Sequence, residues 1–405
     1  MNTKSAGFLS AASILAATAS VSGLGIRIPN QDAEANGRGN AFVATANNPS
    51  AIYYNPAGIT QLHGHTLQGG VLNHIGLNYE YESGAGNQTD TEFEVIPVPQ
   101  IFYTYTPDNS PAAFGIGLYA PFGLGLEWPE DSGFRTLAIE SRLTFITLNP
   151  VVAYNLHPTL SVAFGPTLSY SKVELRQGIG VLPGDEFRYE GDDFGVGLNA
   201  GILWQPHRQW SFGATYRGGT DLNYRGQSEL RPFTAPVGSS VKVQFPLSLS
   251  GGISFRPTPK WNVEVAADWT DWTSVDNLVI KNANTLAGGT DFTLPLKWHA
   301  SWFYHFGVTR YFENGFFISA GYYFSENTTS ERHFTPYVPD TDVHVASVGA
   351  GYKGQRWYWA LAAQLFIGME RDVNDYQSTS LIGETANGKY NLLAPAVTFS
   401  LGHRF

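Results

Sequence analysis

Residues able to do chemistry are thinly spread along this chain, and their spacing argues against most of the reactions they could serve. Gly349-Ala350-Gly351-Tyr352-Lys353-Gly354 has the glycine spacing of a dinucleotide-binding turn, which holds a pyrophosphate only when a helix opens directly behind it. The residues that follow, Trp357 to Met369, instead alternate as a strand does. No Gly-x-Ser-x-Gly nucleophile turn occurs. The ten histidines never fall in a His-Glu-x-x-His array, the spacing that sets two zinc ligands on one helical face. Asp268 and Asp271 bracket Trp269 but fall on opposite faces of a strand, which spoils them as an acid–base pair. The sequence therefore predicts no enzyme, no cofactor and no metal. Four charges stay of interest, Arg217, Lys242, Glu264 and Asp268, and their meaning depends on the elements that carry them.

Those elements read as strands. From about Thr66 to the last residue nearly every run alternates apolar with small or polar. In the final stretch Leu393, Val397, Phe399, Leu401 and Phe405 share one parity, while Ala394, Ala396, Thr398, Ser400, Gly402 and Arg404 share the other. A period of two is the side-chain period of a strand. About 14 such segments follow one another with no helix between, an even number that suits an antiparallel up-and-down barrel. They centre near Leu72, Ile101, Ile116, Leu148, Phe164, Leu198, Ala214, Leu249, Val265, Tyr304, Ile318, Val348, Leu361 and Phe399. Their connections alternate between tight turns, such as Glu313-Asn314-Gly315, and long loops, such as Phe122 to Glu140, Arg176 to Glu190, Lys281 to Leu294 and Asp372 to Asn387. A soluble meander has no reason to sort its loops this way, whereas a barrel in a bacterial outer membrane keeps short turns on the periplasmic side. Around Phe164 the parity sends Leu160, Val162, Phe164, Pro166, Leu168 and Tyr170 to lipid, and Ser161, Ala163, Gly165, Thr167 and Ser169 inward.

The first residues agree with that address. Lys4, the apolar run to Ala17 and the small-residue site Ala17-Thr18-Ala19 form a secretory leader cleaved after Ala19. No later stretch is apolar enough to span a bilayer as a helix, but a barrel hides its hydrophobicity in alternate positions. Aromatic residues make up 14% of the chain, as interfacial girdles require. Cysteine is absent and the net charge is −10, so the sheet does not depend on disulfides and nucleic acid is not the partner.

The expected organisation is a signal peptide over 1–19, a plug over 20–64 and a transmembrane β-barrel over 65–405, monomeric and in the outer membrane. Residues 20–64 lack strand periodicity and are rich in Gly, Asn and Ala; they are read as filling the lumen that the small inward residues leave, the alternative being an unordered tail. Parity places Arg217, Lys242, Glu264 and Asp268 inward. They then either pair to seat the plug or offer a cationic seat to an anionic head group. Lys172, Glu174 and Arg176 continue outward above Tyr170, where lipopolysaccharide and outer-membrane lipid are the expected partners, while Val173 and Leu175 grease the mouth. Phe405, Leu401 and Phe399 are read as the signal to the barrel assembly machinery. Pro121 followed by Gly123 either breaks the third strand's ladder and turns it inward or simply ends the strand at the surface. A barrel enzyme of lipase or protease type would need a clustered nucleophile, base and acid, and a general porin would lack a plug.

Asn47 to Ile59, with the tripeptide Asn55-Pro56-Ala57, resembles the plug signature of the FadL-type outer-membrane transporters. Tyr119-Ala120-Pro121-Phe122-Gly123-Leu124, Leu148-Asn149-Pro150, Thr215-Tyr216-Arg217 and Pro339-Asp340-Thr341-Asp342 follow as further matches in order. The resemblance implies a 14-stranded barrel closed by an N-terminal hatch that carries Asn55, Pro56 and Ala57. It also implies an inward kink at Ala120, Pro121, Phe122, Gly123 and Leu124 that opens the wall laterally. The implied function is passive, ligand-gated uptake of hydrophobic small molecules, long-chain fatty acids or related lipids, or aromatic hydrocarbons.

Overall fold

The alternation is realised as one closed antiparallel sheet. The computed structural model describes residues 25–75, 78–283, 290–377, 380 and 382–405, so the expected leader and the first residues expected in the plug lie outside the described residues. Of twenty-two bonded segments, Gln88–Asp90 folds back on Asn78–Ser83 as a short hairpin arm, and the others join end to end into 14 strands. They are β1 (Gly64–Ile75 and Asn78–Ser83), β2 (Val95–Thr106), β3 (Ala112–Tyr119 and Gly123–Glu127), β4 (Glu140–His157) and β5 (Leu160–Gly178). Next come β6 (Glu186–His207), β7 (Trp210–Arg217 and Thr220–Arg231), β8 (Val237–Phe245 and Ser248–Phe255), β9 (Trp261–Thr270 and Asn277–Lys281) and β10 (Phe292–Pro295 and Ser301–Tyr311). The last are β11 (Phe316–Ser325), β12 (Val343–Lys353), β13 (Trp357–Gly368 and Arg371–Val373) and β14 (Gly388–Arg404). Each pairs with the next, and β14 closes on β1 with Arg404 opposite Thr66 and Ala396 opposite His74. The Gly349–Gly354 motif runs off the end of β12 into strand β13, so no helix stands behind its glycines.

Apolar side chains cover the outside, with Phe164 58% and Phe194 75% exposed. Inside, the wall is floored by Gly, Ser, Thr and Asn. The long connections are shorter than the sequence suggested: β5 runs on to Gly178 and β6 starts at Glu186, which leaves only 179–185 as loop. The reason is chemical. Near this rim the outward positions turn from apolar to charged, and Glu140, Arg176, Arg188 and Glu229 stand opposite one another across β4 to β7. The pattern looks loop-like in sequence but pairs as strand.

The lumen is filled by the N-terminal segment. It folds as α1 (Ala33–Asn36), α2 (Ala51–Tyr54) and a 3-10 turn over Pro56–Gln61. Two of the starts have a local cause: the Asp32 carboxylate accepts from Ala35 N at α1, and Asn55 caps the 3-10 turn with Pro56 in its first position. Every residue from Gly25 to Thr60 except Asn47 is buried. Phe42, Ile52, Tyr53 and Tyr54 pack against Phe102, Tyr119, Val151 and Leu203 of the wall.

Glycine sets how close plug and wall come. A Cβ on Gly213 of β7 would lie 2.1 Å from Val43 O, and one on Gly321 of β11 would lie 2.1 Å from Arg38 C. Gly213→Leu should therefore leave the barrel folded, judged by a faster-running band on unheated detergent gels, while residues 25–60 become sensitive to added protease. Full protease resistance in the variant would contradict this close seating.

Candidate functional site

The plug is pinned by polar bonds to widely separated strands. Arg27 donates to Asp268 Oδ2 at 2.9 Å and to Thr270 Oγ1 at 3.1 Å on β9. Arg38 donates to Asn262 Oδ1 at 3.0 Å and lies 3.6 Å from Glu264. Glu264, fully buried, accepts from Ala44 N at 2.9 Å and from Thr45 Oγ1 at 2.5 Å. Arg217 donates to Tyr53 O at 2.6 Å and caps the Tyr53 ring at 4.2 Å. His305 Nδ1 donates to Gly39 O at 2.9 Å, and Lys353 of β12 reaches Glu34 at 2.6 Å.

Asn55 works in two directions. Its amide donates to Val43 O within the plug at 2.8 Å and to Ile202 O of β6 at 3.0 Å, while its Oδ1 accepts from Ala57 N at 3.2 Å. Glycine at 201 makes room, since a Cβ there would stand 2.3 Å from that oxygen.

Of the four lumen charges expected from parity, Arg217, Glu264 and Asp268 meet in this seat and Lys242 does not. Lys242 is exposed, while Val241 and Phe245 are buried and Val243 is partly so. The reason is the break at Pro246-Leu247 between the two segments of β8. Below it Ser248 is buried and Leu249 exposed; above it the odd residues turn inward. Arg27 was invisible to parity because its segment has no period.

Above the plug lies an apolar pocket. Ile26, Leu124, Leu143, Val173, Leu175, Tyr224, Val243 and Phe245 line it, closed by Trp272, Trp298 and Tyr337. The pocket is partly open, and its volume is about 90 Å³. Arg142 also borders it, but that guanidinium is held by Glu94 at 2.8 Å, by Glu127 at 3.5 Å and by Glu140. At the mouth, burial pulls the Asp185 carboxyl up, yet four backbone donors, from Ile179 to Leu182, outweigh it and hold the carboxyl below its usual range. Its contribution to loop stability is therefore present at neutral pH and lost as pH falls through the lowered value.

The third feature is a gap in the wall. β2 and β3 pair only from Ile101 opposite Leu118 to Tyr105 opposite Phe114. Beyond that β3 breaks at Ala120-Pro121-Phe122, and its upper segment pairs with β4 alone. The plug supplies the missing partners. Ile28 N donates to Pro121 O at 2.8 Å, Gly123 N donates to Ile26 O at 3.0 Å, and Gln31 Nε2 donates to Ala120 O at 2.7 Å. Phe122 packs with Phe145, Phe245 and Trp272, and the last two also line the pocket. Plug, pocket and kink therefore share side chains.

Two expectations about the seat follow. Asp268→Ala leaves Arg27 buried without its carboxylate, a loss of about 3–5 kcal/mol, and should expose an Ile28→Cys reporter to a water-soluble thiol reagent. Arg27→Met with Asp268→Leu should cost less than the single change, read from detergent-solution unfolding; equal or additive losses would contradict an ion-pair latch. Asn55→Ala strands the Val43 and Ile202 carbonyls, about 1–3 kcal/mol, and should alter uptake at unchanged barrel yield. Unchanged uptake would reduce Asn55 to a turn residue.

Comparison with known proteins bears on this arrangement. The family described as outer membrane protein transport protein (OMPP1/FadL/TodX) matches over residues 12–405. A long-chain fatty acid transport protein of Salmonella typhi is 21% identical over 76% of this chain and 79% of its own. The solved structure of a Pseudomonas aeruginosa FadL homologue superposes with a TM-score of 0.81 at 18% identity, over 94% of this chain and 100% of that one. The Pseudomonas putida toluene transporter TodX gives 0.75 at 17% identity, over 94% and 100%. A closed 14-stranded wall, a filled lumen and a match along nearly the whole chain lead to one conclusion: this is an outer-membrane protein that belongs to the OMPP1/FadL/TodX family of transport proteins.

Proposed function

We propose that the protein takes up hydrophobic molecules passively, holds them in the lumen pocket and releases them sideways through the wall between β2 and β3. One observation carries this reading: the same short plug segment touches both ends of the route. Ile26 lines the pocket, and Ile26 and Ile28 bond the kink at Gly123 and Pro121. An apolar cavity of about 150 Å³ takes a benzene ring, so a pocket of ≈ 90 Å³ takes such a ligand fully once a lining side chain moves. Displacement of Ile26 draws on the Arg27–Asp268 latch and frees the kink. Ligand binding thus supplies the differential energy that favours the open state, and sideways exit delivers the solute to hydrocarbon without crossing water.

The substrate we favour is a neutral hydrophobic molecule, aromatic hydrocarbons foremost. Tyr224, Phe245, Trp272, Trp298 and Tyr337 give the pocket aromatic walls, and Arg142 is already compensated by three carboxylates. A fatty-acid carboxylate would have to displace one of them. The second reading, long-chain fatty acids, rests on relatives that carry that name. Lys172 and Glu174, paired at 2.6 Å on the outer face, and Arg176 are proposed to meet lipopolysaccharide head groups. Phe405, 74% exposed beside outward Leu401 and Phe399, is proposed to be read by the assembly machinery.

Filling the gap should separate binding from release. Gly123→Trp should leave binding of a fluorescent neutral aromatic to the purified protein intact and abolish its uptake by cells. Uptake at the wild-type rate in an assembled variant would contradict lateral release. Deletion of Phe405 should lower the amount of protein in the outer membrane; equal amounts by immunoblot would remove its proposed role.

A further inference from the structure

On the β2 side, the unpaired stretch beside the kink carries two prolines, Pro97 and Pro99. Register fixes where they point. β2 pairs with β1 without interruption from Val95 to Thr106, with Pro97 opposite Asn73 and Pro99 opposite Val71. In an antiparallel ladder opposite residues alternate between bonded and non-bonded pairs, so alternate residues bond alternate neighbours. Proline has no N–H to give. An unbroken ladder to β1 therefore runs through Ile96, Val98 and Gln100, and the odd positions are directed at β3.

The other edge of β1 agrees with that assignment. Phe405 N donates to His65 O at 3.0 Å, so the odd residues of β1 bond β14 and its even residues, opposite the even residues of β2, bond β2. Going up the β3-facing edge of β2 from Ile101, the next two donors would come from 99 and 97, and neither exists. The ladder stops where the prolines begin. Higher up the two sides meet again, since Glu92 N donates to Glu127 O at 2.9 Å and Arg142 joins Glu94 to Glu127. The gap is a framed window with one edge that lacks two donors.

We infer that Pro97 and Pro99 are positioning residues that keep this window from zipping shut. While the plug is seated, Pro121 O and Ala120 O have the plug as donor. Once the plug segment leaves, those carbonyls need new donors, because hydrocarbon offers none. An ordinary β2 edge would supply them and seal the seam. The proline edge does not, so the window stays free for the solute. This inference rests on the lateral-release reading, and the test separates the two.

The test uses the full chain in the outer membrane of cells and N-phenyl-1-naphthylamine, a neutral aromatic that fluoresces on entering hydrocarbon. Pro97→Val with Pro99→Val restores both donors, and Gly123→Trp fills the window without touching β2. Pro395→Val, at a proline inside the unbroken β13–β14 ladder, is the control and should change nothing. Two added backbone bonds should slow uptake by the double variant about tenfold, with unchanged probe binding to the purified protein. Its peptide spanning 95–101 should also show slowly exchanging amides. Wild-type uptake by the double variant while Gly123→Trp blocks would overturn the proline inference and leave lateral release standing. Wild-type uptake by both would overturn both. Slow uptake by the double variant with fast amide exchange at 95–101 would likewise overturn it, because the effect would not come from a zipped seam. If the double variant fails to assemble, Pro99→Ala, which restores the donor nearest Ile101 with the smallest side chain, answers by the same two readouts.

Discussion

Hydrocarbon supplies no hydrogen-bond partners, so a backbone group that leaves its ladder inside a membrane must find another partner within the protein. That constraint organises this molecule. The third strand abandons the second above Leu118, and its freed groups at Ala120, Pro121 and Gly123 are taken up by three residues of the plug, Gln31, Ile28 and Ile26. A hole in the wall and a plug in the lumen are then one structure. Whatever moves the plug segment also changes the wall.

The rest of the plug is held far more firmly than this segment. Buried ion pairs and amide bonds tie it to β6, β7, β9, β10 and β12, and inward glycines bring its backbone within van der Waals contact of the wall. Removing one partner of such a buried pair costs far more than the pair itself contributes, so the seat resists wholesale ejection. The stretch from Ile26 to Ile28 has one charged anchor, Arg27 on Asp268 and Thr270, with backbone bonds to the kink and bonds from Gln31 and Tyr53 to Ile28 O. Local release of this end, with the remainder in place, is the cheaper motion.

Much of this was legible from parity. In β5 the alternation around Phe164 sorted lipid from lumen correctly along the whole strand, because no break interrupts it. It placed Glu264 and Asp268 inside for the same reason, since both lie in one continuous segment of β9. It failed at Lys242, where the interruption after Phe245 shifts the face by one residue. Arg27 gave no warning, because a plug folded against a wall obeys shape and has no period, whereas His305 lies on the inward parity of β10 with Ser301 and Phe303 and was readable from it. Pro97 and Pro99 were in plain view. Proline is confined to strand edges, so two at a spacing of two mark one unpaired edge, a signal weaker only than the Pro121 to Gly125 run that drew the eye to the opposite side.

The account's central claim is that the window opens only when the plug segment leaves the kink. The absence of cysteine allows a direct test, because Ile26 and Gly123 stand as antiparallel neighbours of the Arg27–Phe122 bridge, within disulfide reach. With cysteine at both positions, uptake of a neutral aromatic probe should stop when the bond is formed and return when it is reduced, and probe binding should be weaker in the oxidised protein because the bond holds residue 26 in place. Equal uptake in the oxidised and reduced protein would contradict the account.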